Sequence, residues 1–367
     1  MILKYTLLAI FCFFSLFNKA FSQSVKKIPK YTYTVGANLL TGFVIKHDRY
    51  MGHISQGITT GAEVLINKNT YGNQVWEQVF KYPDVGFAFS YFNYGNDMLG
   101  ESFAGTFYMD FILKRTRKVE VLLKIGTGIG FHTKPYDREA NNQNIGVGGP
   151  VTNDMQLRLG MNYKLTERWK LTGAFTLSHF SVAALSQPNK GINIMSANLG
   201  CTYRLNNEAP EYTPVNEDYT WDKRLKYNIN FSYGLKKIPP IGGPYFSVYV
   251  LTFYVNKQVS KISIFNAGID GFSNTALKEE MVQGDIDPDT LDHKRVGLTA
   301  GYELKMNRIS LLAQLGFYVY RPYKTDKIVY QRIALKFYLS KNVYLHYGFI
   351  THFAKADHSE WGIGITI

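Results

Sequence analysis

The feature that most constrains the fold of this chain is an alternation of apolar and polar side chains with a period of two. From Met155 to Leu165 every second residue is apolar, and the residues between them are almost all polar. The same alternation returns between Arg332 and Leu339. Such a period predicts β-strands with one apolar and one polar face. No apolar run long enough for a membrane-spanning helix follows residue 22, so helical spans are excluded.

The connections between the predicted strands favour a membrane barrel over a soluble β-sandwich, which would show the same alternation. Tight connections alternate with longer ones, and 15% of the residues are aromatic, including 27 tyrosines. Short turns at one end, long loops at the other and aromatic girdles are typical of outer-membrane β-barrels. The tight connections are 115–118, 166–168, 258–261, 306–308 and 340–342, and the long ones are 132–153, 271–294 and 321–327. The predicted fold is therefore an all-β, antiparallel transmembrane barrel.

Counting strands by these connections gives about 16 between Tyr31 and Ile367, with the short turns at the end where both termini lie. Two longer connections at that end are 67–84 and the proline-containing, acidic stretch 206–223. The strands form either one barrel of about 16 strands or two eight-stranded barrels joined by a linker. The single barrel is favoured, because the up-and-down order continues across the linker and added strand pairs create no new edges. Residues 23–205 would then form the first half, 206–223 a periplasmic connection, and 224–367 the strands that complete the barrel.

The N-terminus indicates export to the outer membrane. Lys4, the apolar run from Leu7 to Phe17 and the pattern Ala20-Phe21-Ser22 have the layout of a secretory signal peptide over residues 1–22, with a mature start near Gln23. Only Cys201 would survive cleavage, so no disulfide or cysteine metal site is expected. The sequence also lacks a phosphate-cradling glycine motif, and no cofactor is expected. The net charge of +13 favours anionic partners, which for an exported barrel means phosphorylated glycolipid rather than nucleic acid.

One predicted strand carries a candidate active site. Between Trp169 and Val182, the apolar face ends with His179 and Ser181, and the next strand begins at Asn193, which projects to the same surface. Residues two apart in a strand point the same way, here towards lipid. Polar groups facing hydrocarbon are costly and mark functional sites, although the headgroup interface also tolerates them. A histidine can deprotonate a serine that attacks an ester, while a third group orients the imidazole.

The run HFSVAALSQPNKGIN, residues 179–193, resembles the active-site hairpin of the PagL-type lipid A 3-O-deacylases, which belong to the acyloxyacyl hydrolases. The resemblance implies an eight-stranded barrel over 31–205 and a carboxylic ester hydrolase that releases the 3-position acyl chain of lipid A at the outer leaflet. It assigns His179 as the general base and Ser181 as the nucleophile. It also makes Asn189, with backbone N–H groups near Ala183 and Ala184, the oxyanion stabiliser.

Two residues depart from the family pattern. Val182 stands where the family usually has asparagine, and Asn193 stands where the family has a glutamate that orients the histidine. An acid-to-amide change in such a triad can cost about 10⁴ in rate where the tautomer is disturbed, so reduced activity is expected. The alternative is a non-catalytic barrel that binds lipid or forms a pore.

Overall fold

The computed structural model describes residues 30–353 and 355–367, so the predicted signal peptide lies outside the described residues. The described chain folds into 16 β-strands, one 3₁₀ turn (Arg49–Met51) and two short α-helices, α1 (Val75–Val79) and α2 (Ala276–Gln283). Neither of these helices, nor any other part of the described chain, is a helix long and apolar enough to cross a membrane.

Strands cover the two alternating segments to within one residue, and another strand begins at Trp169 as predicted. The first eight are β1 (Thr32–Val44), β2 (Thr59–Asn69), β3 (Asp84–Asn93), β4 (Glu101–Arg115), β5 (Val119–His132), β6 (Val151–Lys164), β7 (Trp169–Ser181) and β8 (Ile192–Arg204). The second eight are β9 (Leu225–Lys236), β10 (Phe246–Gln258), β11 (Ser263–Asn274), β12 (Lys294–Met306), β13 (Ile309–Tyr320), β14 (Val329–Tyr338), β15 (Val343–His352) and β16 (Lys355–Thr366). All five predicted tight turns lie between consecutive strands.

The strands close into two barrels, so the expectation of a single barrel is wrong and the alternative of two eight-stranded barrels is correct. Strand β8 pairs with β1 from Thr34–Arg204 to Val44–Ile194, and β16 pairs with β9. Because each barrel closes on itself, neither half leaves an edge strand that the other could continue. The up-and-down order misled the prediction because it is the same in both arrangements.

Charged side chains fill the interior of both barrels. In the first barrel, Arg158 donates two hydrogen bonds to Glu63, at 2.8 and 2.7 Å. In the second, Arg332 lies 2.9 Å from Asp270 and 2.7 Å from Glu360. An eight-stranded barrel has an interior just wide enough for its side chains. These networks lie in that interior, where a channel would have to pass.

A cluster of apolar residues closes the loop end of the first barrel, opposite the termini. It combines strand residues with residues of the loops after β1, β3 and β5: Leu40, Val44, Met51, Ile54, Phe92, Tyr94, Leu99, Ala104, Val147, Phe180, Ile192 and Ile194. We refer to this set as the cap cluster. The ends of β7 and β8 therefore pack on a buried apolar base, and this base supports the candidate site.

Two separate barrels should remain folded after the linker is cut. We expect cleavage at a site-specific protease sequence inserted after Glu211 to give two fragments. Each fragment should migrate as its own folded, heat-modifiable species on an unboiled gel, because every strand keeps both neighbours within its fragment. As the control, the same insertion in the β4–β5 turn at residues 116–118 should leave the two pieces of the first barrel in one species. A single folded species after cleavage at Glu211 would contradict the two-barrel topology.

Candidate functional site

The candidate site lies at the loop end of β7, on the outer surface of the first barrel. Along β7 the outward residues begin with exposed apolar side chains, such as Phe175 at 66% exposure, and end with the half-buried His179 and Ser181. Phe180, between these two, points inward and is fully buried in the cap cluster. Its ring packs edge-to-face against Phe92, with centroids 5.7 Å apart. Since neighbouring residues of a strand point to opposite faces, burial of Phe180 holds His179 and Ser181 outward.

The pairing of β7 with β8 brings Asn193 to His179. The two residues are directly opposite in the register, and Ile192 and Ile194 on either side of Asn193 are buried in the cap cluster. His179 Nδ1 lies 2.6 Å from Asn193 Oδ1. An amide oxygen only accepts hydrogen bonds, so Nδ1 carries the proton and Nε2 keeps a free lone pair. The predicted pairing of Asn193 with the histidine is thus present in the fold.

The hydroxyl of Ser181 accepts two hydrogen bonds from the loop that follows it. Its Oγ accepts hydrogen bonds from the Ala183 backbone N–H at 3.0 Å and from Asn189 Nδ2 at 2.9 Å. A hydroxyl has two acceptor sites and one donor, so only its proton remains to be given to a base. No direct hydrogen bond joins Ser181 to His179 in the described structure. Contacts that catalysis needs are often longer without substrate. A small side-chain rotation would be required to bring Ser181 and His179 into hydrogen-bond contact.

The loop after β7 holds the donors in place. Asn189 Oδ1 accepts from the Val182 backbone N–H at 3.2 Å, and Asn189 Nδ2 also reaches the Ala183 carbonyl. The φ angle of Ala183 is +53°, a left-handed conformation that redirects the chain after Ser181. Such a conformation costs of order 1–3 kcal/mol in a non-glycine residue and persists where the surroundings impose it. The turn therefore brings two donors to the serine, and Val182 within it is buried.

The loop 133–150 braces the β7–β8 loop from the side. Gly191 N donates to the Gly146 carbonyl at 2.8 Å, and Ser186 Oγ donates to the Gly148 carbonyl at 2.6 Å. Gly191 has a φ of +78°, and a Cβ there would lie 2.9 Å from His179 Cε1. The imidazole thus rests against a backbone position where no side chain fits.

Residues after β1 complete the surroundings of Asn193. His47 Nδ1 lies 3.0 Å from Asn193 Nδ2, and His47 Nε2 lies 2.9 Å from the Lys190 carbonyl. Lys190 Nζ forms an ion pair with Asp48 at 2.7 Å. Its hydrogen bond, together with one from the Tyr50 backbone, lowers the pKa of Asp48. The pair therefore stays charged at pH values somewhat below the usual carboxylate range.

The second barrel touches the first at this site. Lys237 N, just after β9, donates to the Ala184 carbonyl at 2.7 Å. On β15, Tyr347 OH donates to Asn153 Oδ1 at 2.6 Å, and Asn153 is the β6 residue opposite Ser181. The β6 flank of the site is thus bordered by the second barrel, while the flank formed by β8 and β1 has no such neighbour among these contacts.

The predicted site residues come together with one exception. They form two hydrogen-bonded groups on neighbouring positions, His179 with Asn193, and Ser181 with Asn189 and Ala183. Ala184 contributes its carbonyl to the second barrel and has no described contact with Ser181. The sequence analysis missed His47, Gly191 and the second barrel's residues. The polar stretch after Val44 indicated a loop, but nothing in it indicated that the loop meets Asn193.

A second group of titratable residues lies at the loop end of the second barrel. Asp326, His352 and Asp357 place their ligand atoms within 4.8 Å of one another. Lys236 contacts Asp357 at 2.6 Å, and Arg295 contacts Asp326 at 2.8 Å. Because each carboxylate already has a cationic partner, the group has no excess negative charge that would attract a metal ion.

The fold and the site together define a class, a transmembrane β-barrel with a His–Ser–Asn cluster on its outer surface. The family model described as "Lipid A 3-O-deacylase (PagL)" matches residues 60–202, within the first barrel. The model described as "Acyloxyacyl hydrolase, C-terminal domain" matches residues 225–367, the second barrel. The chain belongs to the PagL-type lipid A 3-O-deacylase and acyloxyacyl hydrolase family, and the resemblance found in the sequence is confirmed.

The solved structures that match this chain include a neisserial surface protein and a porin mutant. Neisserial surface protein A is 8% identical, with a TM-score of 0.32, and the match covers 47% of this chain and 95% of that one. A mutant of the Rh. blastica porin is 9% identical, with a TM-score of 0.20, and the match covers 91% of this chain and 100% of that one. Both scores are below 0.5, so neither likeness bears on function. No curated protein matches the sequence.

Substitution Gly191→Ala should reduce any activity that depends on His179. The new methyl group would meet the imidazole at 2.9 Å and displace it, and a misplacement of about 1 Å can cost about 10²-fold in rate. The measurement is the rate of ester hydrolysis by the purified, folded variant. Gly242→Ala is the matched control, because Gly242 has a similar φ of +91° with nothing within 4 Å. Equal rates for both variants would mean that the position of the imidazole is unimportant.

Proposed function

We propose that this chain is an outer-membrane serine esterase that removes an ester-linked acyl chain, at the 3-position, from lipid A. The observation that carries the proposal is the hydrogen bond of 2.6 Å between His179 and Asn193, beside a serine whose acceptor sites are both occupied. Membership of the deacylase family supplies the substrate class. A purely structural role for three polar residues on a lipid-facing surface would leave their mutual arrangement unexplained.

In the proposed reaction His179 Nε2 takes the proton of Ser181, and Oγ attacks the carbonyl carbon of the ester. The tetrahedral intermediate collapses with loss of the sugar hydroxyl, which receives the proton from His179. Water, deprotonated by the same imidazole, then attacks the acyl-serine; the imidazole returns the proton to Ser181 Oγ as the C–O bond breaks, and the fatty acid is released. This sequence needs a neutral imidazole with its proton on Nδ1, the tautomer that Asn193 favours.

The oxyanion of the intermediate requires hydrogen-bond donors beside Ser181. We assign this role to Asn189 Nδ2 and the Ala183 N–H, which already donate to Oγ and lie within reach of an oxygen that develops next to it. The N–H of Ala184 can join them only if the loop moves. Asn193 is neutral and does not stabilise imidazolium as a carboxylate would, so the reaction should be slower than with a glutamate at this position.

The topology supports an outer-leaflet location for the substrate. The site lies at the end of the barrel opposite both termini, which for an exported barrel with a periplasmic N-terminus is the outer-leaflet end. Lipid A lies in that leaflet, and its acyl chains can run along exposed apolar side chains of β1 and β8, such as Leu39 at 71% and Leu199 at 73% exposure. The ester would then reach Ser181 from the flank that the second barrel leaves open.

Substitutions Ser181→Ala and His179→Ala should each reduce deacylation to background, because one removes the nucleophile and the other removes the base. Mass spectrometry of lipid A from cells that produce each variant would show the loss of the deacylated species. Ser178→Ala, on the opposite face of the same strand, is the control and should retain activity. Activity retained by folded Ser181→Ala would eliminate the serine mechanism, and an inactive wild type would favour a lipid-binding barrel without catalysis.

The orientation can be tested on intact cells. Protease added outside should cleave the loops near Tyr136 and Asp287, while Glu211 in the linker should be protected until the outer membrane is opened. Immunoblots of tagged fragments would distinguish the two sides. The reverse pattern would place the site in the inner leaflet and remove its access to lipid A.

A further inference from the structure

We propose that His47 is a positioning residue for His179, acting through the amide of Asn193. It holds the amide with its oxygen towards His179, so that His179 Nε2 is free to act as a base. This inference rests on the proposed function and names a residue outside the hairpin, 146 positions from Asn193 in the sequence.

An amide at the orienting position creates a problem that a carboxylate does not. A carboxylate can only accept a hydrogen bond from the imidazole, whereas an asparagine presents an acceptor on one side and donors on the other. If Asn193 turned over, its NH₂ group would face His179 Nδ1, which would have to be the acceptor. The ring proton would then sit on Nε2, and His179 could not take the proton of Ser181.

The contacts of His47 remove this ambiguity. His47 Nε2 faces the Lys190 carbonyl at 2.9 Å, and a carbonyl only accepts, so Nε2 carries the proton. In a neutral ring Nδ1 is then the acceptor, and it lies 3.0 Å from Asn193 Nδ2. The NH₂ group of Asn193 must therefore face His47, and the amide oxygen must face His179. Each hydrogen bond in this series, from the Lys190 carbonyl through His47 and Asn193 to His179, determines the direction of the next.

One other contact competes with this arrangement. The Ile45 carbonyl lies 3.2 Å from His47 Nδ1, and it would be satisfied only if Nδ1 carried a proton. A neutral imidazole carries one proton, and the shorter contact to Lys190 favours Nε2 as its position. The assignment then leaves Asn193 as the donor to Nδ1.

The place of His47 is fixed by the closure of the first barrel. Ile45 N donates to the Asn193 carbonyl at 2.8 Å and so extends the pairing of β1 with β8 beyond Val44. Two residues later His47 stands beside the Asn193 side chain. The ion pair of Asp48 with Lys190 then ties the next residue to the same loop whose carbonyl His47 contacts.

The test is a double-mutant cycle on the full-length protein, with purified lipid A as substrate. We expect His47→Phe to lower kcat about tenfold with little change in KM, about the effect of losing one hydrogen bond. Asn193→Glu should raise kcat, because a carboxylate supports the imidazolium. In the Asn193→Glu background His47→Phe should have less than about a twofold effect, since a carboxylate needs no second residue to set its direction.

Two matched variants separate positioning from a general effect on the loop. His47→Asn places an amide oxygen near the position of Nδ1 and should retain most of the activity. His53→Phe removes another histidine of the same loop, whose side chain contacts the Gln143 carbonyl at 2.8 Å, and should leave kcat unchanged. An equal loss from His47→Phe in both backgrounds, or no loss in either, would overturn the proposal.

A direct readout keeps this result separate from the proposed function. In ¹⁵N-histidine-labelled protein, the nitrogen shifts of His179 should show the proton on Nδ1 in the wild type and a mixture of tautomers in His47→Phe. The signal can be assigned by its absence in His179→Gln. If the wild type proves inactive, the proposed function fails, and the tautomer still decides the role of His47. Identical tautomers in wild type and His47→Phe would refute it.

Discussion

The structure depends on the pairing of backbone groups between the first and last strands of each barrel. Inside a bilayer every backbone N–H and C=O must find a partner within the protein, and an open sheet edge is not tolerated. The pairing of β8 with β1 satisfies this need for the first barrel, and that of β16 with β9 for the second. The first closure also brings the end of β1, and with it His47, to the start of β8, where Asn193 lies. The site is thus assembled by the same bonds that close the barrel.

The residues that point inward determine what the outward residues can do. Phe180 is buried between His179 and Ser181, and Ile192 and Ile194 are buried on either side of Asn193. Burying such side chains contributes roughly 1.5–3 kcal/mol each relative to exposure, which helps to offset the placement of polar groups at a lipid-facing surface. The ends of β7 and β8 then hold the side chains of His179 and Asn193 in contact. The loop between the two strands supplies two donors to Ser181.

Replacing a carboxylate by an amide changes the demands on the neighbouring residues. A charged partner orients a histidine through its charge and through acceptance alone, while Asn193 can orient it only if its own direction is set. Hydrogen bonds from residues outside the hairpin become relevant for this reason. The second barrel adds further contacts to the loop through Lys237 and to β6 through Tyr347, so the family's C-terminal unit lies directly beside the barrel that carries the candidate site.

The sequence by itself determined the strands, their faces and the core of the site, because these follow from local periodicity. A period of two assigns Phe180 inward and His179 and Ser181 outward without any knowledge of neighbours. Which strand closes on which is a long-range choice, since the alternation is the same in one barrel of 16 strands and in two of eight. The tertiary structure alone therefore decided the two barrels, the contact of Lys237 with the active-site loop and the approach of His47 to Asn193. His47 and Asn193 are 146 positions apart and come into contact only after the barrel has closed, so no local sequence pattern predicts their contact.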